Sequence, residues 1–273
     1  METMWTKELF GVNKPIIALL HLRALPGDPG FDREGGMERV LDWARKDLHA
    51  LQEGGVNGIL FANEFSLPYQ VNAPYALPSA MAWVIGRLQE EIRVPFGVNV
   101  VYNPLATIEL ADANRASFVR SAFTGSYMGE YGVMHTDPAA AVRRREELGL
   151  RRLKMLYKVN PESDAYLVAR DPRTVAKSIL FACSPDGLCV SGASAGSETS
   201  DELLASIHAV AGEVPVFCNT GCNIQTVETK LAISDGACVG TTFKYNGDFR
   251  NGVDVQRVKA FMEVARRCQD AGR

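Results

Sequence analysis

Residues 214–242 read VPVFCNTGCNIQTVETKLAISDGACVGTT. A short apolar run, Val214–Cys218, meets a polar turn carrying Gly221. Asn223 can start a helix over Gln225–Ala232. A second apolar run, Ala237–Val239, then leads into another glycine, Gly240. Run, turn, helix and run form the βαβ unit of a parallel sheet. Near-continuous apolar runs suit strands that are covered by helices outside and filled within.

The same alternation extends outward through the chain. Ile16–Leu20, Gly58–Ala62, Phe96–Val101, Phe118–Phe123, Leu153–Tyr157 and Leu188–Val190 bring the strand-like runs to eight. Between them, Met37–Glu53 places Val40, Leu41, Ala44, Leu48 and Leu51 at helical spacing and stops at Gly54-Gly55. Pro78–Ile92, Ala139–Leu148, Thr174–Phe181, Glu202–Val210 and Val253–Cys268 also read as helices. Asp137-Pro138 and Asp171-Pro172 form an N-cap followed by proline at the first helical position. The pattern predicts an α/β protein: a single (β/α)8 TIM barrel over residues 1–273, with residues 1–13 as an amino-terminal extension. An open doubly wound sheet would carry a GxGxxG turn after the first strand, and none is present there. The long segments between runs 1 and 2, 2 and 3, and 4 and 5 read as enlarged loops at the active face.

Composition narrows the partners. Of 273 residues, 47% are hydrophobic and 22% charged, which excludes a disordered chain. The net charge is -3, and the one dense basic cluster (Arg143, Arg144, Arg145, Arg151, Arg152) is interrupted by Glu146 and Glu147. No nucleic-acid partner is expected. The six cysteines form no CxxC pair and several lie in apolar runs, the usage of free buried thiols in a reducing compartment. With no targeting segment and no apolar run long enough to span a bilayer, a cytoplasmic location without a membrane partner is expected. Homo-oligomerisation stays open, for instance through Ala82–Leu88.

In such a barrel the chemistry lies at the carboxyl ends of the strands. His21 ends the first and Asn63-Glu64 the second. Asn99 lies in the third, Thr124 follows the fourth, and Lys154 and Lys158 share one strand parity in the fifth. The last three strands end in the turns 191–197, 219–223 and 240–244. There Gly192, Ser194, Gly196, Gly221, Gly240 and Thr241 suit backbone N–H capture of phosphate. His21, Glu64 and Lys154 are the candidate catalytic residues. His21 and Glu64 supply proton transfer, and Lys154, if desolvated, supplies a base or an imine. Asn63, Asn99, Thr124, Lys158, Ser191 and Asn219 are the candidate substrate-binding residues. No residue is assigned to a metal, although His21, Glu64 and the asparagines leave room for a divalent cation such as Mg2+.

Several motifs carry a family resemblance. Lys14–Gly30 (KPIIALLHLRALPGDPG), Asn63–Pro68, Pro95–Val100, Phe123–Gly125, Cys189–Gly192, Thr241–Gly247 and Asn251–Val258 resemble, in order, the motifs of the BtpA/SgcQ family, and are closest to the SgcQ branch. The resemblance implies a ribulose-phosphate-binding type of barrel. It also implies association with photosystem I assembly in one branch and with sugar-uptake gene clusters, under nucleosidase or nucleoside triphosphatase labels, in the other. It carries no agreed catalytic residues.

The leading expectation is an enzyme of carbohydrate metabolism. Its partner is a phosphorylated sugar or a ribose-phosphate-containing small molecule, and it works by isomerase/epimerase or lyase/aldolase chemistry. A nucleoside or nucleotide hydrolase and a non-catalytic assembly factor are the alternatives.

Overall fold

The computed structural model describes residues 4–194 and 196–270, the last of these by backbone alone. Eight parallel strands close into a barrel in the order β1-β11-β10-β9-β7-β4-β3-β2. They are β1 (Ile16–His21), β2 (Gly58–Ala62), β3 (Phe96–Asn99), β4 (Phe118–Ser121), β7 (Lys154–Lys158), β9 (Gly187–Val190), β10 (Val216–Cys218) and β11 (Gly236–Val239). Each coincides with one of the eight apolar runs. Pairing brings His21 level with Ala62, and Ala62 with Asn99, so the strand ends form one rim.

The helices outside the barrel form for local reasons. In α2 (Gly36–Gly54) the apolar stripe Val40, Leu41, Ala44, Leu48 and Leu51 is buried, and Gly55 ends the helix at φ 85. The Asp137 and Asp171 carboxylates accept from the Ala140 and Thr174 amides, starting α5 (Pro138–Glu147) and α6 (Pro172–Cys183). Ser200 does the same for α7 (Asp201–Ala211). Helices α3 (Ala76–Leu88), α8 (Val227–Ile233) and α9 (Val255–Asp270) follow expectation within a few residues. Helix α4 (Pro104–Asn114) was not anticipated, although it carries proline in its first turn as α5 and α6 do; its Asn103 side chain does not cap it and accepts from the Ala73 amide instead.

Two further elements matter for the site. Helix α1 (Trp5–Phe10), within the amino-terminal extension, stoppers the barrel's amino end: Trp5 lies 6.4 Å from Phe217 and Phe10 lies 5.6 Å from Phe118. At the other end, the segments after β4 and β7 form an antiparallel sheet of β6 (Gly132–His135), β5 (Ser126–Gly129) and β8 (Asp164–Tyr166). Its Tyr127 is fully buried, paired to Met134 and Tyr166, and the Glu130-Tyr131 turn reaches over the barrel mouth. Among the described residues, no helix is long and apolar enough to cross a membrane.

Candidate active site

The barrel mouth holds one cleft with two chambers. The smaller, about 250 Å3, is polar: His21, Glu64, Arg120, Glu162 and Asn219 are among its lining. Gly221, Gly240, Thr241, Thr242 and Arg257 complete the lining, with Gly240 close against His21, where a Cβ would sit 2.9 Å from Nε2. The larger, about 560 Å3, is walled by three tyrosines and apolar side chains with Asn99, Lys158 and Asp164 among them, and it shares Glu64, Glu162, Gly196, Thr241 and Phe249 with the first.

Arg120 is the centre of the polar chamber. It stands inside the barrel on β4 and is 2% exposed. Its Nη1 donates to Asn219 Oδ1 at 2.8 Å, and its Nη2 lies 3.8 Å from Glu64 Oε1. Burial opposes its charge, but Cys238 and the Glu162 and Glu64 carboxylates outweigh burial and raise its pKa. Glu162 is held from three sides: Asn219 Nδ2 donates at 2.7 Å, Ser191 Oγ at 3.2 Å, and Lys158 Nζ lies 3.4 Å away. Glu64 is less committed. One oxygen accepts from the Tyr69 hydroxyl at 2.8 Å and the other faces Arg120.

His21 is buried at the end of β1, and neither ring nitrogen has a partner. Burial, then the Lys244 and Arg120 cations, hold its imidazole well below the ordinary histidine range. Lys244 is itself buried, donates to the Asn251 carbonyl at 3.0 Å, and is pushed down to about 8, chiefly by burial. Neutral imidazole offers one N–H donor and one acceptor to a ligand in the chamber.

A pH dependence follows. The unfolded chain binds a proton at His21 near pH 6.5, whereas the folded chain resists it, so this part of the stability is complete above that pH and is lost as the pH falls below it. Urea titrations between pH 7 and 5 are expected to show a loss that approaches about 1.4 kcal/mol per pH unit, and His21→Gln to remove that component. Equal pH slopes in both proteins would show that His21 takes up its proton freely in the folded state.

The structure sorts the residues expected from the sequence. His21, Glu64, Asn99, Lys158, Gly196, Asn219, Gly221, Gly240 and Thr241 line the cleft, and Ser191 joins it through Glu162. Lys154 does not. As the first residue of β7 it lies at the barrel's amino end, 3.1 Å from Asp186 Oδ1 and 5.4 Å from the Trp5 ring, so the catalytic role expected of it is withdrawn. Asn63 is a buried strap whose Oδ1 accepts from the Val101 amide at 2.8 Å. Gly192 serves the loop backbone: its amide donates to Thr220 Oγ1, and a Cβ there would sit 2.4 Å from the Ser197 carbonyl. Ser194 is exposed and turns back on Ser197, while Thr124 gives its carbonyl to the Tyr127 hydroxyl; neither lines the cleft. Arg120, Glu162, Arg257 and the tyrosines were not singled out from the sequence. An arginine inside the largely apolar run Phe118–Phe123 was the available signal for the first of them.

A family model described as the BtpA family matches residues 12–267. The chain belongs to the BtpA family. The sgc region protein SgcQ of Escherichia coli is 46% identical over 259 residues, covering 95% of this chain and 97% of SgcQ. The photosystem I biogenesis protein BtpA of Synechocystis is 27% identical over 260 residues, covering 94% of this chain and 90% of BtpA. Among solved structures, phosphoribosyl anthranilate isomerase of Thermus thermophilus superposes with a TM-score of 0.53 at 13% identity, covering 92% and 98% of the two chains. That last likeness is one of fold alone. Among the described residues, no three His, Cys, Asp or Glu side chains gather as a metal-binding group.

Proposed function

We propose that this BtpA-family barrel is an enzyme that moves protons on a phosphorylated sugar or a ribose-phosphate-containing small molecule. One observation carries the reading: in the polar chamber a fully buried guanidinium, with the Glu64 and Glu162 carboxylates acting on it, shares the lining with a wall of glycine turns. On that wall, among the described residues, the Thr241 and Thr242 amides have no acceptor, and Arg257 lies alongside with its Nε on the Thr242 carbonyl at 2.9 Å. Free amides beside glycine suit a phosphate group, and the arginine adds charge. The rest of the chamber then meets the sugar's carbonyl and hydroxyls. Arg120 stabilises negative charge developing on oxygen, Glu64 takes a proton, and neutral His21 or Lys158 supplies one. Glu162, with its three donors, is a fixed charge that keeps Arg120 and Lys158 in place.

Isomerisation or epimerisation fits this set better than an imine route, because Lys158 is the one lysine among the cleft residues and it is paired with Glu162. Borohydride treatment with a sugar phosphate should therefore leave Lys158 unmodified. The direct test is a thermal-shift titration with ribose 5-phosphate, other sugar phosphates and inorganic phosphate. A ligand at 100 times its Kd stabilises the folded state by about 2.7 kcal/mol. The shift should survive Lys154→Met and shrink in Lys158→Met. No shift with any phosphorylated compound would overturn the reading and favour a non-catalytic assembly role; the Synechocystis relative is named for photosystem I biogenesis.

A further inference from the structure

Glu64, Lys158 and Glu162 bring the reaction to one edge of the larger chamber, but the rest of that chamber has no task on a sugar phosphate alone. Ligand sites for drug-sized molecules run to about 300–1,000 Å3. The larger chamber reaches that size by itself, at about 560 Å3, while the adjoining polar chamber of about 250 Å3 is matched to a small phosphorylated sugar.

Its walls are specific. Tyr69, Tyr102 and Tyr131 come from the loops after β2 and β3 and from the β5–β6 turn. Their ring centroids are 5.7 Å (Tyr69–Tyr102), 5.1 Å (Tyr69–Tyr131) and 5.8 Å (Tyr102–Tyr131) apart. Two of these rings are fixed by their hydroxyls, Tyr69 on Glu64 and Tyr102 on Asp164. Those hydroxyls are spoken for, so the rings offer the chamber their faces and edges. Burial raises both phenols above their ordinary range, which keeps them neutral. Tyr102 and Ser163, both at the chamber, hold left-handed backbone at φ 62 and φ 64, a conformation that side chains other than glycine adopt at a cost. Tyr69 also ties this wall to the chemistry, because Glu64 belongs to both chambers.

We infer that the larger chamber seats a planar aromatic group, so that the substrate is a sugar phosphate bearing an aromatic substituent, with the phosphate at the glycine turns and the ring among the tyrosines. Stacking on aromatic side chains is tolerant of the ring's identity and adds affinity that a bare sugar phosphate lacks. The inference rests on the phosphosugar reading and adds a second recognition element to it.

Calorimetric titration with ribose 5-phosphate and with the 5′-monophosphates of adenosine, guanosine, cytidine and uridine tests both. At least one nucleoside monophosphate should bind about tenfold or more tighter than ribose 5-phosphate, a difference of about 1.4 kcal/mol. Tyr131→Ala, at the tip of an exposed turn, should erase that advantage while leaving ribose 5-phosphate within about twofold, and Tyr131→Phe should keep it. If ribose 5-phosphate binds and no nucleotide exceeds it, or if Tyr131→Ala weakens both ligands equally, the aromatic seat is wrong and the phosphosugar reading stands. If nothing binds, both fall.

Discussion

Arg120→Met should lower the stability of the folded chain by about 3–5 kcal/mol and abolish the thermal shift with sugar phosphates. The guanidinium is buried to 2% exposure inside the barrel, where Asn219 and Glu64 are arranged around it. Removing one member of a buried charged cluster costs about 3–5 kcal/mol because the others stay buried without their partner. Asn219 Oδ1 would lose its donor, Glu64 would lose the guanidinium 3.8 Å away, and Glu162 would be left with Lys158 at 3.4 Å. Methionine nearly fills the space, so the loss reports charge and hydrogen bonding and not a cavity. Arg120→Lys keeps the charge but not the planar fork, and should fall between the two. Urea denaturation read alongside ligand titration checks this. A variant within about 1 kcal/mol of the parent that still binds ligand would show that Arg120 is a tolerated burial and not the organiser of the site.

The barrel was legible because each strand is a short apolar run closed by a turn, and runs of that kind do not depend on distant residues for recognition. Helix α4 was not legible for the opposite reason. Leu105, Ala106, Ile108, Leu110 and Ala111 do not gather on one stripe, so helical periodicity is faint there despite the Asn103-Pro104 start. At the site, strand-end reasoning reached His21, Glu64 and Asn219 because the chain's direction alone puts those positions at the mouth. The error at Lys154 came from parity. Lys154 and Lys158 do share a face of β7, but four residues at about 3.3 Å each put them about 13 Å apart, one at each end of the barrel. The same attention to a charge inside an apolar run would have found Arg120, three residues from the carboxyl end of the run Phe118–Phe123. Glu162, Tyr69, Tyr102 and Tyr131 were beyond reach. They lie in loops, and nothing local in a loop says that residues 69, 102 and 131 meet.

Gly221→Ala should be the most damaging single methyl in the cleft, costing about 2–5 kcal/mol and most of the affinity for phosphorylated ligands. Two independent terms add. Gly221 has φ 70, where a side chain costs about 1–2 kcal/mol. A Cβ there would also sit 2.2 Å from the Glu198 Cα and 2.4 Å from the Ser197 carbonyl, backbone atoms that cannot rotate away, and overpacking of that kind costs about 1–3 kcal/mol. Relief requires the loop after β9 to separate from the loop after β10. That movement displaces Gly221 and Thr220, which line the polar chamber, and breaks the hydrogen bond from the Gly192 amide to Thr220 Oγ1. Gly212→Ala separates the terms. Gly212 ends α7 at φ 63 and ψ -121 with open space where the methyl would go, so it pays a backbone term alone, about 1–3 kcal/mol, and leaves ligand affinity unchanged. Denaturation and titration of the two variants side by side decide the matter. If Gly221→Ala is no worse than Gly212→Ala in either measurement, the β9 and β10 loops yield to a methyl, and their close approach is not what shapes the wall assigned to phosphate.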